Sequence, residues 1–252
     1  MTVVDVQARG EVALITLDRP DKLNAINAEM LDGLLEAIED IGASETIGAA
    51  VLTGRGRAFS TGGDITAMSG MDEDEFAATI ARYMRVSSAF RACPKPIVAA
   101  IHGYALAGGF ELALMCDVRF AAAGTQFGLP DTPLGLSPTS GMTYLLPRIV
   151  GLGRALSLAL GAENIDAAEA QRIGLVDRVV EPDDLLAEAE AFAQRIAAYP
   201  RVGVARTKEL LHDGLDGDFA SATRREEEAE LACFRTRDTR ERLRAFADRK
   251  RQ

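Results

Sequence analysis

Ile101–Asp117 reads IHGYALAGGFELALMCD, and the rest of the chain is organised around it. The apolar stretch Pro96–Ile101 is predicted as a short buried strand running into a glycine-rich turn. The turn opens a helix around Glu111–Met115, with Glu111 in its first turn. Paired glycines at a helix entrance let the backbone bend tightly and leave amide N–H groups free to face an anion. Packing alone does not account for a carboxylate among Phe110, Leu112, Ala113 and Leu114. An earlier stretch, Arg57–Ile65 (RAFSTGGDI), has the same form: apolar residues, Gly62-Gly63, then Asp64. Two such turns predict a site built from backbone donors and carboxylates.

Around these turns the pattern is that of an α/β protein. Val3–Gln7 and Val12–Leu17 alternate as the arms of a β-hairpin. Asn27 is placed to cap a helix whose apolar residues, Met30, Leu31, Leu34, Leu35, Ile38 and Ile41, recur at helical spacing. Ile47–Thr53 is a short buried strand, so strand, helix and strand form a parallel crossover unit. Asp72–Phe90 reads as a helix with Phe76, Ile80, Tyr83, Met84 and Val86 on its apolar face, and Lys95-Pro96 ends it. Val118–Ala122 is the strand that closes a second crossover unit. Leu129–Gly135 is too rich in Pro and Gly for a regular element and is expected to be a loop carrying Asp131. From Gly141 onward the pattern is helical, interrupted by Leu175–Val180. Asp166 and Glu169 are spaced for a capping box, and Pro182-Asp183-Asp184 starts a helix through Leu185, Ala189, Phe192 and Ile196. The charged tail Asp218–Lys250 has few apolar positions and is expected to pack on the core or on a neighbouring subunit.

Composition bounds the function. A net charge of −10 in 252 residues disfavours a broad nucleic-acid or anionic-membrane surface. The three cysteines, Cys93, Cys116 and Cys233, are far apart and odd in number, which reads as reduced packing residues. With only His102 and His212, no metal site is expected. No charged-then-apolar leader and no bilayer-length apolar run are present, so the expected location is the cytoplasm.

Four motifs, in order, give a resemblance. RAFSTGGDI (Arg57–Ile65), HGYALAGGFELALMCD (His102–Asp117), FGLPDTPLGLSPTSG (Phe127–Gly141) and GLVDRVV (Gly174–Val180) resemble the enoyl-CoA hydratase/isomerase, or crotonase, superfamily. Leu17–Pro20 followed by Lys22–Ala25 resembles its N-terminal nucleotide loop. The resemblance implies a crotonase-like core of ββα repeats wound as a spiral, over residues 1–190, and a C-terminal helical trimerisation region over 191–252. It implies a homotrimer or dimer of trimers acting on an acyl-CoA, with coenzyme A part of the substrate and no separate cofactor.

By similarity, the amides of Gly63 and Gly108 form an oxyanion hole for the thioester oxygen. Losing one such donor typically costs ~3–4 kcal/mol of transition-state stabilisation. Glu111 and Asp131 match the two acid/base carboxylates of hydratases, and Lys22, Leu23, Ala25, Thr61, Gly63, Asp64, Ile65 and Gly108 match substrate-binding positions, with Asp64 read as a cap or a neighbour of the adenine rather than a catalyst. Arg19, Arg55 and Arg57, with Lys22, lie close to these segments and are candidates for the phosphates or for ordinary surface. His102 is expected to be structural. Ser137, Thr139 and Ser140 place hydroxyls where many relatives have small residues; they either position a water or a polar acyl group, or satisfy the turn.

Two departures bear on function. Typical hydratases carry Glu where this chain has Asp131, shorter by about 1.5 Å of reach. A misplacement of ~1 Å can cost on the order of a hundredfold in rate. Hydration of a 2-enoyl-CoA is the leading expectation; double-bond isomerisation, which a single carboxylate can carry out, and thioester hydrolysis are alternatives. A non-catalytic RNA-binding relative is disfavoured by the charge. The second departure is the end FADRKRQ, Phe246–Gln252, where many relatives have a Pro- and aromatic-containing tail. It puts CoA contacts from that tail in question.

Overall fold

The computed structural model describes residues 2–249. Val4–Arg9 (β1) and Val12–Leu17 (β2) pair antiparallel around Gly10, which takes φ +65° in the turn. Asn27 Oδ1 accepts the Met30 N–H at 3.0 Å and starts α1 (Ala28–Ala43), which buries Met30, Leu31, Leu34, Ile38 and Ile41. The chain returns as β3 (Ala49–Gly54), parallel to β2. A single helical turn, α2 (Ile65–Met68), follows the first glycine pair. Next comes α3 (Glu73–Ala92), capped by a reciprocal Asp72–Glu75 box.

From here strands are dealt alternately to two sheets. β4 (Ile97–Ile101) enters the large sheet, β5 (Tyr104–Leu106) a small one, and α4 (Gly108–Met115) follows; β6 (Val118–Ala122) and β7 (Gln126–Gly128) repeat the move. This is the ββα repeat. The helices α5 (Met142–Val150) and α6 (Leu152–Gly161) precede β8 (Ile165–Asp166), α7 (Ala167–Arg172) and β9 (Arg178–Val180). The six-stranded sheet has the order β1-β2-β3-β4-β6-β9, parallel except for β1, and the small sheet has the order β5-β7-β8. The chain closes with α8 (Leu185–Ala197), α9 (Arg201–Gly214), α10 (Phe219–Arg235) and α11 (Arg237–Arg249).

Strands β2, β3 and β4 are buried along their whole length, as expected of parallel strands covered on both faces. Period-two alternation divides them. Ile15, Leu17, Leu52, Ala99 and Ile101 join the core shared with α1, α3 and α4, whereas Val12, Leu14, Val51, Val98 and Ala100 pack with α8. Ala189, Ala193 and Ala197, one helical turn apart on α8, let that helix lie close to the sheet.

Several elements differ from the sequence reading. Met84 is exposed on α3, and Thr79 is buried in the face assigned to apolar residues. Helix α4 begins at Gly108, so the glycine pair lies inside the helix. At the predicted capping box of α7 one half forms: Asp166 accepts the Glu169 N–H at 2.8 Å, and Glu169 binds Arg172 instead. A single 3-10 turn, Thr132–Leu134, interrupts the predicted loop. The tail packs α10 on α9 and continues as α11, leaving Phe219 85% exposed and Phe234 55% exposed. The last three residues of FADRKRQ, Lys250, Arg251 and Gln252, lie outside the described residues.

Candidate active site

The two glycine turns meet. Asn24, fully buried at φ +54°, donates from Nδ2 to the carbonyls of Arg55 (2.9 Å) and Ala58 (2.8 Å), and its Oδ1 accepts the Arg19 N–H at 2.9 Å. Ser60 Oγ donates to Asn24 O at 2.8 Å and accepts the Gly62 N–H at 3.2 Å. These bonds hold the first turn against the second. Gly62 has φ +88°, and a Cβ there would lie 2.7 Å from Leu106 O and 2.8 Å from Gly108 N. A Cβ on Gly109 would lie 2.3 Å from Ser60 O. Only glycine permits that approach. Between them Ala107 takes φ +45°, ψ −122°, a strained conformation for a residue with a side chain. It is pinned by its N–H to Gly128 O and by its carbonyl to Glu111 N, both at 3.0 Å. Among the described residues, neither the Gly63 N–H nor the Gly108 N–H has a protein acceptor.

Both turns open on a cavity of about 110 Å³. Glu111 and Asp131 line it together, with Thr139, Tyr83, Gly63 and Gly108, and with Met68, Phe76, Ile80, Leu134 and Leu136 as its apolar wall. Glu111 is 3% exposed; its Oε1 accepts the Thr139 N–H at 2.5 Å and its Oε2 the Thr139 hydroxyl at 2.9 Å. Burial pushes its carboxyl above the ordinary range, against the pull of the Thr139 donors. Asp131 stands on the loop after β7. Its carbonyl accepts the N–H groups of Leu134 and Leu136, both at 3.0 Å, while Oδ2 is buried without a partner. Burial raises this carboxyl too. The site therefore pairs a carboxylate held by two donors with one that has an oxygen left free.

A sequence profile described as enoyl-CoA hydratase/isomerase matches residues 7–252. The chain belongs to the enoyl-CoA hydratase/isomerase family. It is 37% identical to the short-chain-enoyl-CoA hydratase of Clostridium acetobutylicum over 98% of this chain and 95% of that protein. To the crotonyl-CoA hydratase of Syntrophomonas wolfei it is 36% identical, over 95% of this chain and 93% of the other. Among solved structures, the enoyl-CoA hydratase of Bacillus anthracis superposes with a TM-score of 0.95 at 32% identity, covering 98% of this chain and 96% of that one. The chain has the crotonase fold of this family.

Against that family pattern, Gly63, Gly108, Glu111 and Asp131 are brought to one cavity, and Thr61 and Ile65 line it as well. Lys22 is exposed beside Leu23 and Ala25, in the loop that Asn24 fastens. Asp64 caps α2 through the Ala67 N–H (3.3 Å) and pairs with Arg19 at 3.0 Å; burial would raise its carboxyl, but the Arg19 bond and charge bring it below the ordinary range. Arg19 is thereby committed to the loop. Arg55 is turned to Asp18 at 2.8 Å, which leaves Lys22 and Arg57 as the exposed cations of this group without an ion pair among the described residues. His102 Nε2 lies 3.1 Å from Gly56 O, and burial lowers its pKa, in keeping with the structural role expected. Thr139 acts on Glu111 rather than merely satisfying its turn; a Ser140 side-chain hydrogen bond also lowers the Glu111 pKa, and the Ser140 carbonyl accepts the Ser87 hydroxyl at 2.8 Å.

Two features were not foreseen. Tyr83, read as one of several apolar residues on α3, lines the cavity. A larger groove, about 620 Å³, lies between α5, α8, α9 and the starts of β4 and β6. Among the described residues, its one carboxylate is spent: Asp117 accepts from Lys208 Nζ at 2.8 Å, from His212 Nε2 at 3.2 Å and from the Ile97 N–H at 2.7 Å. The groove has no free donor pair and no carboxylate to spare, so the smaller cavity is the candidate active site.

Proposed function

We propose that the protein is an enoyl-CoA hydratase, adding water across the 2,3 double bond of an enoyl thioester. One observation carries the reading: two carboxyl groups and two unbonded glycine N–H groups line a single apolar-walled cavity. In the proposed reaction the thioester oxygen accepts hydrogen bonds from Gly63 and Gly108, which stabilise the negative charge that develops there. Glu111 takes a proton from water as the water oxygen bonds to C3, and the C2=C3 π electrons move toward the thioester. Asp131 gives a proton to C2 as the enolate collapses. The net addition is one water; the proton gained by Glu111 returns to Asp131 through solvent. The roles follow from surroundings. Two Thr139 donors favour the anionic base at Glu111, and a buried oxygen with no donor favours the protonated acid at Asp131.

The same reading assigns Lys22, Leu23, Ala25, Thr61, Asp64 and Ile65 to the CoA path, with Lys22 and Arg57 available to the phosphates. It treats residues 1–190 as the catalytic core and 191–252 as the helical region. The exposed Phe219, Phe234 and Leu231 of α10 are proposed to be covered in a homotrimer or dimer of trimers. Free Cys93, Cys116 and Cys233 suit a reducing compartment, the cytoplasm. Coenzyme A enters with the substrate, and no further cofactor is invoked.

Incubation with crotonyl-CoA and longer 2-enoyl-CoAs tests the activity. Loss of the conjugated thioester absorbance, with a product one water heavier, is expected; no loss with any of them contradicts hydration. The short reach of Asp131 favours one second reading, isomerisation by Glu111 alone. A 3-enoyl-CoA converted to its 2-enoyl isomer with unchanged mass, and no water taken up, would select it.

A further inference from the structure

Tyr83 projects from α3 onto the glycine turns. A Cβ on Gly108 would lie 3.4 Å from both Cε1 and Oη of Tyr83, and one on Gly63 would lie 3.5 Å from Oη. The hydroxyl therefore stands beside both glycines whose N–H groups have no acceptor. Tyr83 is 6% exposed and lines the cavity that holds Glu111 and Asp131. Among the described residues no protein group pairs with its hydroxyl, which is open to the cavity. An O–H that faces the cavity with no protein partner is free to donate to a ligand there, which a Phe of the same ring could not do.

We propose that the Tyr83 O–H is a third hydrogen-bond donor to the thioester carbonyl oxygen, joining the N–H groups of Gly63 and Gly108. Burial, with the charges of Glu111, Asp131 and Asp64, pushes its ionisation well above the ordinary tyrosine value, so it keeps its proton and remains a donor. The donor strengthens as charge builds on the oxygen, so its effect falls on turnover more than on binding. This inference rests on the reading of the cavity as a CoA-thioester site.

The test is Tyr83→Phe, which keeps the ring against Gly108. The readout is the carbonyl stretch of bound butyryl-CoA, labelled with carbon-13 at the thioester carbon and unable to react by hydration. The wild type is expected to lower this frequency relative to free butyryl-CoA, and Tyr83→Phe to return it part of the way. With crotonyl-CoA, kcat is expected to fall about tenfold to a hundredfold with KM within about twofold, in line with loss of one oxyanion donor. Incorporation of 3-fluorotyrosine at position 83, a stronger donor of the same shape, is expected to lower the frequency further and gives a reading even if the Phe variant does not fold. Equal frequencies in the wild type and these variants overturn the proposal. A frequency shift without hydration of any enoyl-CoA would keep the Tyr83 role and remove the hydratase reading; failure of the wild type to bind butyryl-CoA would remove both.

Discussion

At the scale of single residues, the site is built at the expense of stability. Glu111 carries its charge in an apolar helix, and burial raises its pKa. A raised carboxyl binds its proton more tightly in the folded state, so stability falls as pH rises through the window from the ordinary glutamate value, about 4.3, up to the raised one. Glu111→Gln keeps both contacts with Thr139, accepting from its N–H and donating to its hydroxyl. The variant is expected to melt a few degrees higher than the wild type at pH 7, with the difference shrinking toward pH 4, while hydration is lost. Thermal scans at the two pH values check it; a lower melting temperature at pH 7 would contradict it. Glu111 and Asp131 were legible as carboxylates in apolar or turn-rich surroundings. The Tyr83 hydroxyl was not, because a tyrosine among Ile80 and Val86 has the same helical spacing whether its hydroxyl meets solvent or a cavity.

At the scale of elements, the meeting of the two turns sets the geometry. Gly62→Ala would combine a left-handed backbone with a Cβ 2.7 Å from Leu106 O, so the turns must separate. A loss of about 1–3 kcal/mol is expected in denaturant unfolding, with a larger proportional loss of activity, since the donor spacing changes with it. The helices and the long parallel strands were readable from periodicity, and Asn27 was readable as a cap because capping is local chemistry. Strands β5, β7 and β8 were not. They run for two or three residues, too short to show alternation, and exist because the ladder is supplied by partners distant in sequence, such as Gly128 with Leu106. Asp166 shows the limit of local signals: its box spacing is right, but Arg172 draws Glu169 away.

At the scale of the whole molecule, helix α9 is tied to the core through a buried cluster around Asp117. Burial alone would raise the Asp117 carboxyl, but the His212 bond and the charge and bond of Lys208 outweigh it and leave it below the ordinary range. Its contribution to stability is therefore present at neutral pH and lost as pH falls below about 4, through the depressed value. Lys208→Met takes the buried cation from this carboxylate, leaving it the His212 and Ile97 contacts, and is expected to cost about 3 kcal/mol at pH 7, read in equilibrium unfolding. The glycine turns lie outside this cluster, so the variant that remains folded should keep its kcat. What joins fold to function is the convergence of four segments on one cavity: the turn after β3, the start of α4, helix α3 and the loop bearing Asp131. The claim that matters most is that both carboxylates share the addition of water. It is tested most directly by kcat/KM for crotonyl-CoA in Glu111→Ala and Asp131→Ala beside the wild type. Severe losses in both variants, each on the order of a hundredfold or more, are predicted; an Asp131→Ala protein that hydrates crotonyl-CoA at close to the wild-type rate would contradict it.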